Sequence, residues 1–305
     1  MGRFLFSILT ACFISLIVFS HPIIAAPSAA SRVTLHHQKE AGDGIAFPVT
    51  VSATDLKSIT VTFLDRSITA NATLEFSEHL LLLPIPLDHA AGKAKITWSA
   101  KFADGSTEKG ASPITIIKRK YPVQKLTVAP KYVTPDPALK ERIDQERKLM
   151  GAALNTRSNT RHWTLPMKRP VPGKITSLYG LRRVLNGQPR SAHRGLDFRG
   201  EAGSPIMAVA NGTVVLTGDF YYAGQFVVVD HGLGVVSISM HMSEIIAKQG
   251  QTVNAGDVIG LVGSTGRSTG PHLHLGISVL GQSIDALPLI MRTEEDNALY
   301  STAGQ

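Results

Sequence analysis

Residues 226–242 read Phe-Val-Val-Val-Asp-His-Gly-Leu-Gly-Val-Val-Ser-Ile-Ser-Met-His-Met. Two runs rich in valine and isoleucine flank a short segment that contains two glycines, which is the pattern of two β-strands joined by a tight turn. The pattern continues in both directions, because glycine recurs between short apolar runs from Pro166 to about Met291. Together these runs predict a glycine-rich antiparallel β domain over residues 166–291.

The composition of the whole chain limits the class of protein. The chain has 305 residues, of which 43% are hydrophobic and 18% are charged, so a wholly disordered protein is excluded. One cysteine is too few for a disulfide framework or a cysteine-based zinc finger. The formal net charge of +8 suits an anionic polymer as partner, although ordinary solubility explains such a charge equally well. Nucleic-acid binding is disfavoured, because the chain has no basic runs interleaved with aromatic residues.

Residues 1–30 are predicted to be an export signal. Arg3 provides the positive charge, an apolar run follows over residues 4–19, and small residues precede a predicted cleavage site after Ala30. An uncleaved anchor is the alternative, but the apolar run is shorter than the roughly 20 residues that a spanning helix needs. The expected product is an exported, periplasmic protein without stable membrane insertion.

Cys12 gives the same segment a second interpretation. Residues 9–12 read Leu-Thr-Ala-Cys, which fits the sequence that precedes a lipidated cysteine in bacterial lipoproteins. A lipidated cysteine normally leads into a polar tether, whereas strongly apolar sequence follows Cys12. The favoured interpretation is therefore a small residue inside the apolar part of the signal.

Residues 31–121 show the alternation of short β-strands. Polar and apolar residues alternate over residues 59–63 and 94–98, and Asp104-Gly105 marks a turn after the second run. The region is predicted to form a small β-sandwich with Trp98 in its core. Its sequence shows no cluster of residues typical of a catalytic or metal-binding site, and its scattered histidines are expected to have structural roles.

Residues 122–165 are predicted to be a linker that contains an amphipathic helix. Residues 134–137 read Thr-Pro-Asp-Pro, a typical helix start, and four apolar residues then recur at helical spacing. These four residues are Leu139, Ile143, Met150 and Leu154. The helix is expected to pack on a neighbouring domain, and residues 292–305 are expected to form a polar tail. The predicted fold class is therefore mainly β.

Residues that could bind a metal or act in catalysis concentrate in the predicted glycine-rich domain. Residues 193–197 read His-Arg-Gly-Leu-Asp, and residues 272–274 read His-Leu-His. The two rings of the second motif would lie on the same face of a β-strand, because side chains at i and i+2 share a face. Imidazole and carboxylate groups are suitable zinc ligands, and three such ligands with an open fourth position are typical of a catalytic site.

These motifs resemble those of the lysostaphin-type (LytM) zinc metalloendopeptidases, which cleave peptide cross-links in bacterial cell walls. The resemblance rests on residues 193–197, on Met-His-Met-Ser at 240–243, and on Gly-Ser-Thr-Gly-Arg-Ser-Thr-Gly-Pro-His-Leu-His at 263–274. Residues 182–190 also resemble the loop before the first ligand in proteobacterial members. The resemblance covers about residues 121–290, and the β-rich region before them resembles the amino-terminal domain often fused to such peptidases.

The resemblance implies one zinc ion bound by His193, Asp197 and His274. It also implies that His241 and His272 are the catalytic histidines. The implied substrate is peptidoglycan, cut within stem peptides or cross-links, and the proteobacterial form implies the bond between D-alanine and meso-diaminopimelate.

Other polar residues of the domain are not expected to be metal ligands or catalytic residues. His231 is expected to end a strand or to support the site without acting in catalysis, and Asp257 and Asp285 are expected in loops. Arg182 and Arg183 either contact substrate carboxylates or belong to a solvated basic loop.

One residue departs from the family pattern. Ser239 stands two residues before His241, where family members often have tyrosine. Ser239 is expected to alter the packing or the substrate groove beside His241, and not to affect metal binding.

Three alternative functions remain open from the sequence. A non-catalytic relative that activates a cell-wall amidase is the first, although such members typically lack ligands that this chain retains. A zinc carboxypeptidase acting on the stem terminus is the second. The third is a latent enzyme in which the helix or the β-sandwich covers the groove.

Overall fold

The computed structural model describes residues 31–71 and 78–303, with side chains up to residue 298. The predicted export signal and Cys12 lie outside these described residues. Among the described helices, none is long and apolar enough to span a membrane.

The first eight strands form two sheets that pack face to face. One sheet has the order β1-β3-β6 and the other the order β2-β8-β7-β4-β5. Alternate side chains of the long strands are buried, as their sequence pattern predicts, and the rings of Phe47 and Phe63 meet edge to face between the sheets at 5.4 Å. Trp98 is buried in this core. The strands are β1 (Val33–His37), β2 (Glu40–Gly42), β3 (Ala46–Ala53), β4 (Leu56–Phe63), β5 (Arg66–Asn71), β6 (Glu78–Pro84), β7 (Gly92–Phe102) and β8 (Thr107–Ile117).

The linker contains strand β9 (Val123–Leu126) and helix α1 (Lys140–Leu154). A 3-10 turn over Pro137–Leu139 leads into the helix, and the side chain of Asp136 caps this turn by accepting from the Ala138 amide at 2.9 Å. Met150 and Leu154 pack against buried apolar residues of the following domain. The apolar face of the helix therefore packs as its spacing predicts.

The remaining strands build a ten-stranded, antiparallel sheet with a small side sheet. The central order is β10-β13-β20-β17-β16-β15-β18. Strand β19 pairs with β17 and with β14, and β21 pairs with β20. Strands β16 and β17 form the hairpin expected from residues 226–242. The strands are β10 (Ile175–Ser177), β11 (Arg182–Leu185), β12 (Gln188–Pro189), β13 (Leu196–Arg199), β14 (Pro205–Met207), β15 (Gly212–Phe220), β16 (Gly224–Asp230), β17 (Val235–Ile245), β18 (Thr252–Val253), β19 (Val258–Val262), β20 (His272–Val279) and β21 (Gln282–Ile284).

One strand pairing and two ion pairs join the amino-terminal region and the linker to the residues that follow them. Strand β11 pairs in parallel with β9 of the linker, and Arg182 of β11 forms an ion pair with Asp88. Arg119 binds Asp285 through a buried ion pair of 2.9 Å, so Asp285 lies in a loop as expected but is not solvated. The mainly β architecture predicted from the sequence is confirmed.

The final residues are not wholly solvated. Helix α2 (Glu294–Ala303) occupies most of the segment expected to be a polar tail. Its Asp296 carboxylate is buried and accepts a hydrogen bond from Arg169. The segment therefore docks on the domain through this ion pair.

Candidate active site

Two antiparallel strands place a carboxylate and an imidazole side by side. Asp197 of β13 lies directly opposite His274 of β20, and His193 precedes β13. The distance between Asp197 Oδ1 and His274 Nδ1 is 2.8 Å, and His193 Nε2 lies 2.9 Å from Asp197 Oδ1 and 3.0 Å from His274 Nδ1. The structure thus brings together the three residues that the resemblance assigns to the metal, all of them buried.

Hydrogen bonding at the far side of His193 shows that these three atoms suit a metal ion. His193 Nδ1 lies 2.8 Å from the carbonyl oxygen of Leu178, which only accepts, so Nδ1 carries the proton. In the neutral ring, Nε2 then presents a lone pair to a carboxylate oxygen of Asp197. Two acceptors at this separation repel each other unless a cation lies between them. The donor set therefore fits a bound metal ion.

The pKa values of two of the candidate ligands, His274 and Asp197, favour the metal-binding protonation states. Burial lowers the pKa of His274 to about 4. Burial raises the pKa of Asp197, but the neighbouring His193 and His274 rings outweigh this effect and hold it well below its usual value. Near neutral pH the site offers neutral imidazole and ionised carboxylate, which are the forms that coordinate metals.

Gly195 lies between two of these ligands because no side chain fits there. A Cβ atom at this position would lie 2.4 Å from the carbonyl oxygen of Leu275 and 2.7 Å from the ring of His274. The glycine of the His-Arg-Gly-Leu-Asp motif therefore permits β13 to approach β20 closely enough for the ligands to meet.

His241 is positioned by a change of partner along β17. Met240 is the last residue paired with β20, opposite His274, and Met242 is the first paired with β19, opposite Val262. Between them His241 has a φ of +65°, a left-handed conformation that is uncommon for a residue with a side chain. This switch brings the His241 ring to 4.8 Å from the ring of His272.

His241 and His272 share one hydrogen-bonding arrangement. Nδ1 of His241 lies 2.8 Å from the carbonyl oxygen of Thr265, and Nδ1 of His272 lies 2.8 Å from that of Gly270. Each Nδ1 therefore carries the proton and each Nε2 keeps a lone pair in the neutral ring. Nε2 of His272 lies 3.9 Å from Asp197 Oδ1. Burial lowers the pKa of His241 to about 3, so its imidazole is a neutral proton acceptor at neutral pH.

A groove of about 600 Å³ opens beside the three ligands. Helix α1 lines one side through residues that include Ile143 and Met150, while His193, His241 and His274 line its base. The sequence predicted that the helix packs on a domain and left open that it covers the groove, and the structure places the helix in the lining of that groove. That position depends on tertiary packing.

Both loop arginines are engaged by carboxylates of the chain itself. Arg182 pairs with Asp88, and Arg183 donates from Nη2 to Asp197 Oδ2 at 2.9 Å. The sequence singled out Arg183 as a basic residue near the first ligand, but not as a partner of Asp197. Arg183 therefore supports the site from behind the carboxylate.

His231 and Ser239, which the sequence analysis also considered, are both buried. His231 is fully buried, with Nδ1 at 2.8 Å from the Asn211 carbonyl oxygen and Nε2 at 2.8 Å from Ser237 Oγ. Ser239 is buried in β17, opposite Leu275 of β20. Their surroundings agree with packing roles.

Comparison with known proteins assigns this region to a family. Residues 191–286, which include both metal-ligand motifs and His241, match peptidase family M23. The chain carries a peptidase family M23 domain. The LytM-type resemblance inferred from the motifs is thereby confirmed.

The chain is similar to curated proteins over part of their length. It is 41% identical over 121 residues to peptidoglycan DD-endopeptidase ShyA of Vibrio cholerae serotype O1, covering 39% of this chain and 28% of that protein. It is 36% identical over 136 residues to DD-carboxypeptidase/endopeptidase Mpg of Neisseria meningitidis serogroup B, covering 43% of this chain and 31% of that protein. The chain thus spans less than a third of these relatives.

A solved structure matches more of the chain than the M23 domain alone. A putative peptidase M23 from Pseudomonas aeruginosa superposes with a TM-score of 0.62 at 28% sequence identity. The match covers 80% of this chain and 93% of that chain. The similarity therefore extends into the strands that precede the M23 domain.

Proposed function

We propose that this chain is a zinc-dependent endopeptidase that hydrolyses peptide bonds in peptidoglycan stem peptides or cross-links. The observation that carries the proposal is the convergence of His193, Asp197 and His274 beside two further histidines with free Nε2 lone pairs. Two imidazoles and one carboxylate with an open side are a typical ligand set of catalytic zinc. The names of the relatives, peptidoglycan DD-endopeptidase and DD-carboxypeptidase/endopeptidase, support the substrate class.

The chain's own residues divide into ligands and proton carriers. His193, Asp197 and His274 would hold the zinc ion, which would supply Lewis acidity to the scissile carbonyl and lower the pKa of bound water toward about 7. The Nε2 atom of His241 or His272 accepts the proton of the attacking water. The imidazolium so formed then donates that proton to the leaving amine.

No glutamate base is needed for this scheme. Glu146 lines the groove, but its carboxylate already accepts from Arg142 Nε at 2.7 Å and from the Tyr221 amide at 2.8 Å. The Nε2 atoms of His241 and His272, whose rings lie 4.8 Å apart, are the proton acceptors that this scheme uses.

The proposed bond is the one between D-alanine and meso-diaminopimelate. This choice follows the proteobacterial form of the loop at residues 182–190 and the word DD-endopeptidase in the name of one relative. We also infer export to the periplasm, through the signal at residues 1–30, because peptidoglycan lies outside the inner membrane. The division into a β-sandwich, a linker and a peptidase domain is part of the same proposal.

Metal analysis followed by digestion tests the proposal. The purified mature chain should contain about one zinc per chain by mass spectrometry, and Asp197→Ala should contain almost none. His241→Ala should retain the zinc but release no peptides from purified sacculi. A wild-type chain that resists zinc loading would favour a non-catalytic activator of an amidase, and release of only a terminal residue would indicate a carboxypeptidase.

A further inference from the structure

The groove beside the metal ligands carries an excess of positive charge. Five arginines and one glutamate line it. The arginines are Arg147, Arg183, Arg190, Arg194 and Arg267. Because Glu146 is already bound by Arg142 and the Tyr221 amide, it does not neutralise this set.

Four of the five arginines have oxygen partners within the chain. Arg147 pairs with Asp144, and Arg183 pairs with Asp197. Arg190 donates to the carbonyl oxygen of Val133 at 2.8 Å. Arg194 lies beside the hydroxyl of Tyr179. These contacts explain the positions of four side chains without a ligand.

Arg267 is different, because its guanidinium has no oxygen partner among the residues that the structure describes. It lies 4.8 Å from the centre of the Tyr222 ring, and its guanidinium is available to a ligand in the groove that it lines. Burial lowers the pKa of Arg267, and the nearby charges of Arg183 and Arg190 lower it further. A carboxylate binds more strongly to a guanidinium that is partly shielded from water than to a fully solvated one.

The backbone holds Arg267 close to the candidate base. Its amide donates to the Tyr222 carbonyl oxygen at 3.0 Å, and Thr265, two residues earlier, orients His241 through its own carbonyl oxygen. A negative group bound by Arg267 would therefore lie near the bond that His241 faces.

We propose that Arg267 binds a free carboxylate of the substrate, on the residue that supplies the leaving amine. The inference rests on the proposed function and specifies the substrate class of that same groove. A meso-diaminopimelate cross-linked through its second amine keeps a carboxylate on the carbon that bears this amine. The guanidinium of Arg267 is suited to bidentate binding of such a group, with Tyr222 fixing its plane.

Two substrates that differ only at this carboxylate test the assignment. They are one cross-linked muropeptide dimer with the carboxylate free and the same dimer with it converted to a carboxamide. For the wild-type chain we expect kcat/KM to be about 10- to 100-fold higher on the acid, the range of a charge-assisted hydrogen bond. Arg267→Gln should lose this preference and Arg267→Lys should keep part of it.

Arg147→Gln provides the matched control, because Arg147 lines the same groove but already pairs with Asp144. The control should keep the preference for the acid. If the wild-type chain had equal kcat/KM values on the acid and the amide, the assignment would be overturned. It would also be overturned if Arg267→Gln kept the wild-type ratio of these two values.

Binding separates this inference from the proposed function. Calorimetry on the zinc-loaded chain measures the affinity for the amine-side product peptide as acid and as amide, without turnover. If neither dimer is cleaved, the proposed function fails, while a preference for the acid product that disappears in Arg267→Gln still supports the carboxylate site. Equal binding of both products would contradict the site.

Discussion

Arg183 and Asp197 form a hydrogen-bonded ion pair behind the candidate metal site, with Arg183 Nη2 2.9 Å from Asp197 Oδ2. The other carboxylate oxygen, Oδ1, faces His193 and His274. One oxygen is thus held by the guanidinium while the second remains directed at the other ligands. Such an outer partner fixes the rotation of a carboxylate ligand.

Arg183→Gln should weaken zinc binding by about 10- to 100-fold, the usual effect of losing an outer-shell partner. Competition with a chromophoric chelator measures this affinity without any assay of activity. Arg182→Gln is the control, because Arg182 pairs with the half-exposed Asp88, and its zinc affinity should match the wild type. Equal affinity in all three chains would remove the positioning role of Arg183.

Gly195→Ala should reduce both zinc affinity and stability. Its Cβ would meet the Leu275 carbonyl oxygen and the His274 ring, so β13 must move away from β20. We expect a loss of about 3 kcal/mol in the free energy of unfolding, the upper part of the range for over-packing. Urea denaturation with and without zinc measures both effects.

Gly151→Ala is a suitable control for that substitution. A Cβ at Gly151 in α1 would meet no atom within 4 Å. Alanine is the better helix former, so the free energy of unfolding should rise by about 0.5–1 kcal/mol. A Gly195→Ala chain as stable as wild type would show that the strands have room to adjust.

His231 should make stability depend on pH. Burial lowers its pKa to about 4, whereas an unfolded histidine titrates near 6.5. Between these values the unfolded chain binds the extra proton, so stability falls as pH decreases from about 7 toward 4. Between pH 7.5 and 5 this group should cost on the order of 2 kcal/mol.

Comparison of the wild-type chain with His231→Gln isolates that contribution. The variant has lower stability at pH 7.5, because the bonds to Asn211 and Ser237 are disturbed, but it lacks this titrating group. Its urea midpoint should therefore change less between the two pH values. Parallel pH curves for the two chains would refute the role of His231.

The ion pair between Arg119 and Asp285 should contribute to stability through burial. Both side chains are largely buried at 2.9 Å. Arg119→Met leaves the Asp285 carboxylate without its cation, which should cost about 3–5 kcal/mol. Asp88→Asn breaks a more exposed pair and should cost no more than about 1 kcal/mol. In thermal unfolding, Arg119→Met should therefore have a clearly lower midpoint temperature than Asp88→Asn.

Local patterns were sufficient to predict much of this architecture. Alternation at residues 59–63 and 94–98 gave strands, and the spacing of four apolar residues gave α1, because side-chain periodicity reflects backbone geometry directly. The motifs at 193–197 and 272–274 identified the candidate ligands, since their chemical types and spacings are encoded within a few residues. The docking of α2 through Asp296 and Arg169 was not visible, because these residues are far apart in sequence.

The sequence by itself determined the strand-rich class and the helix, and its resemblance to a family named the residues expected at the candidate metal site. Only the tertiary structure decided the register that places Asp197 opposite His274, and the left-handed turn that directs His241 toward His272. It also decided that Arg183 engages Asp197, whereas Arg267 has no carboxylate partner among the described residues. Register and ion pairing depend on which distant strands meet, and a local pattern carries no information about that choice.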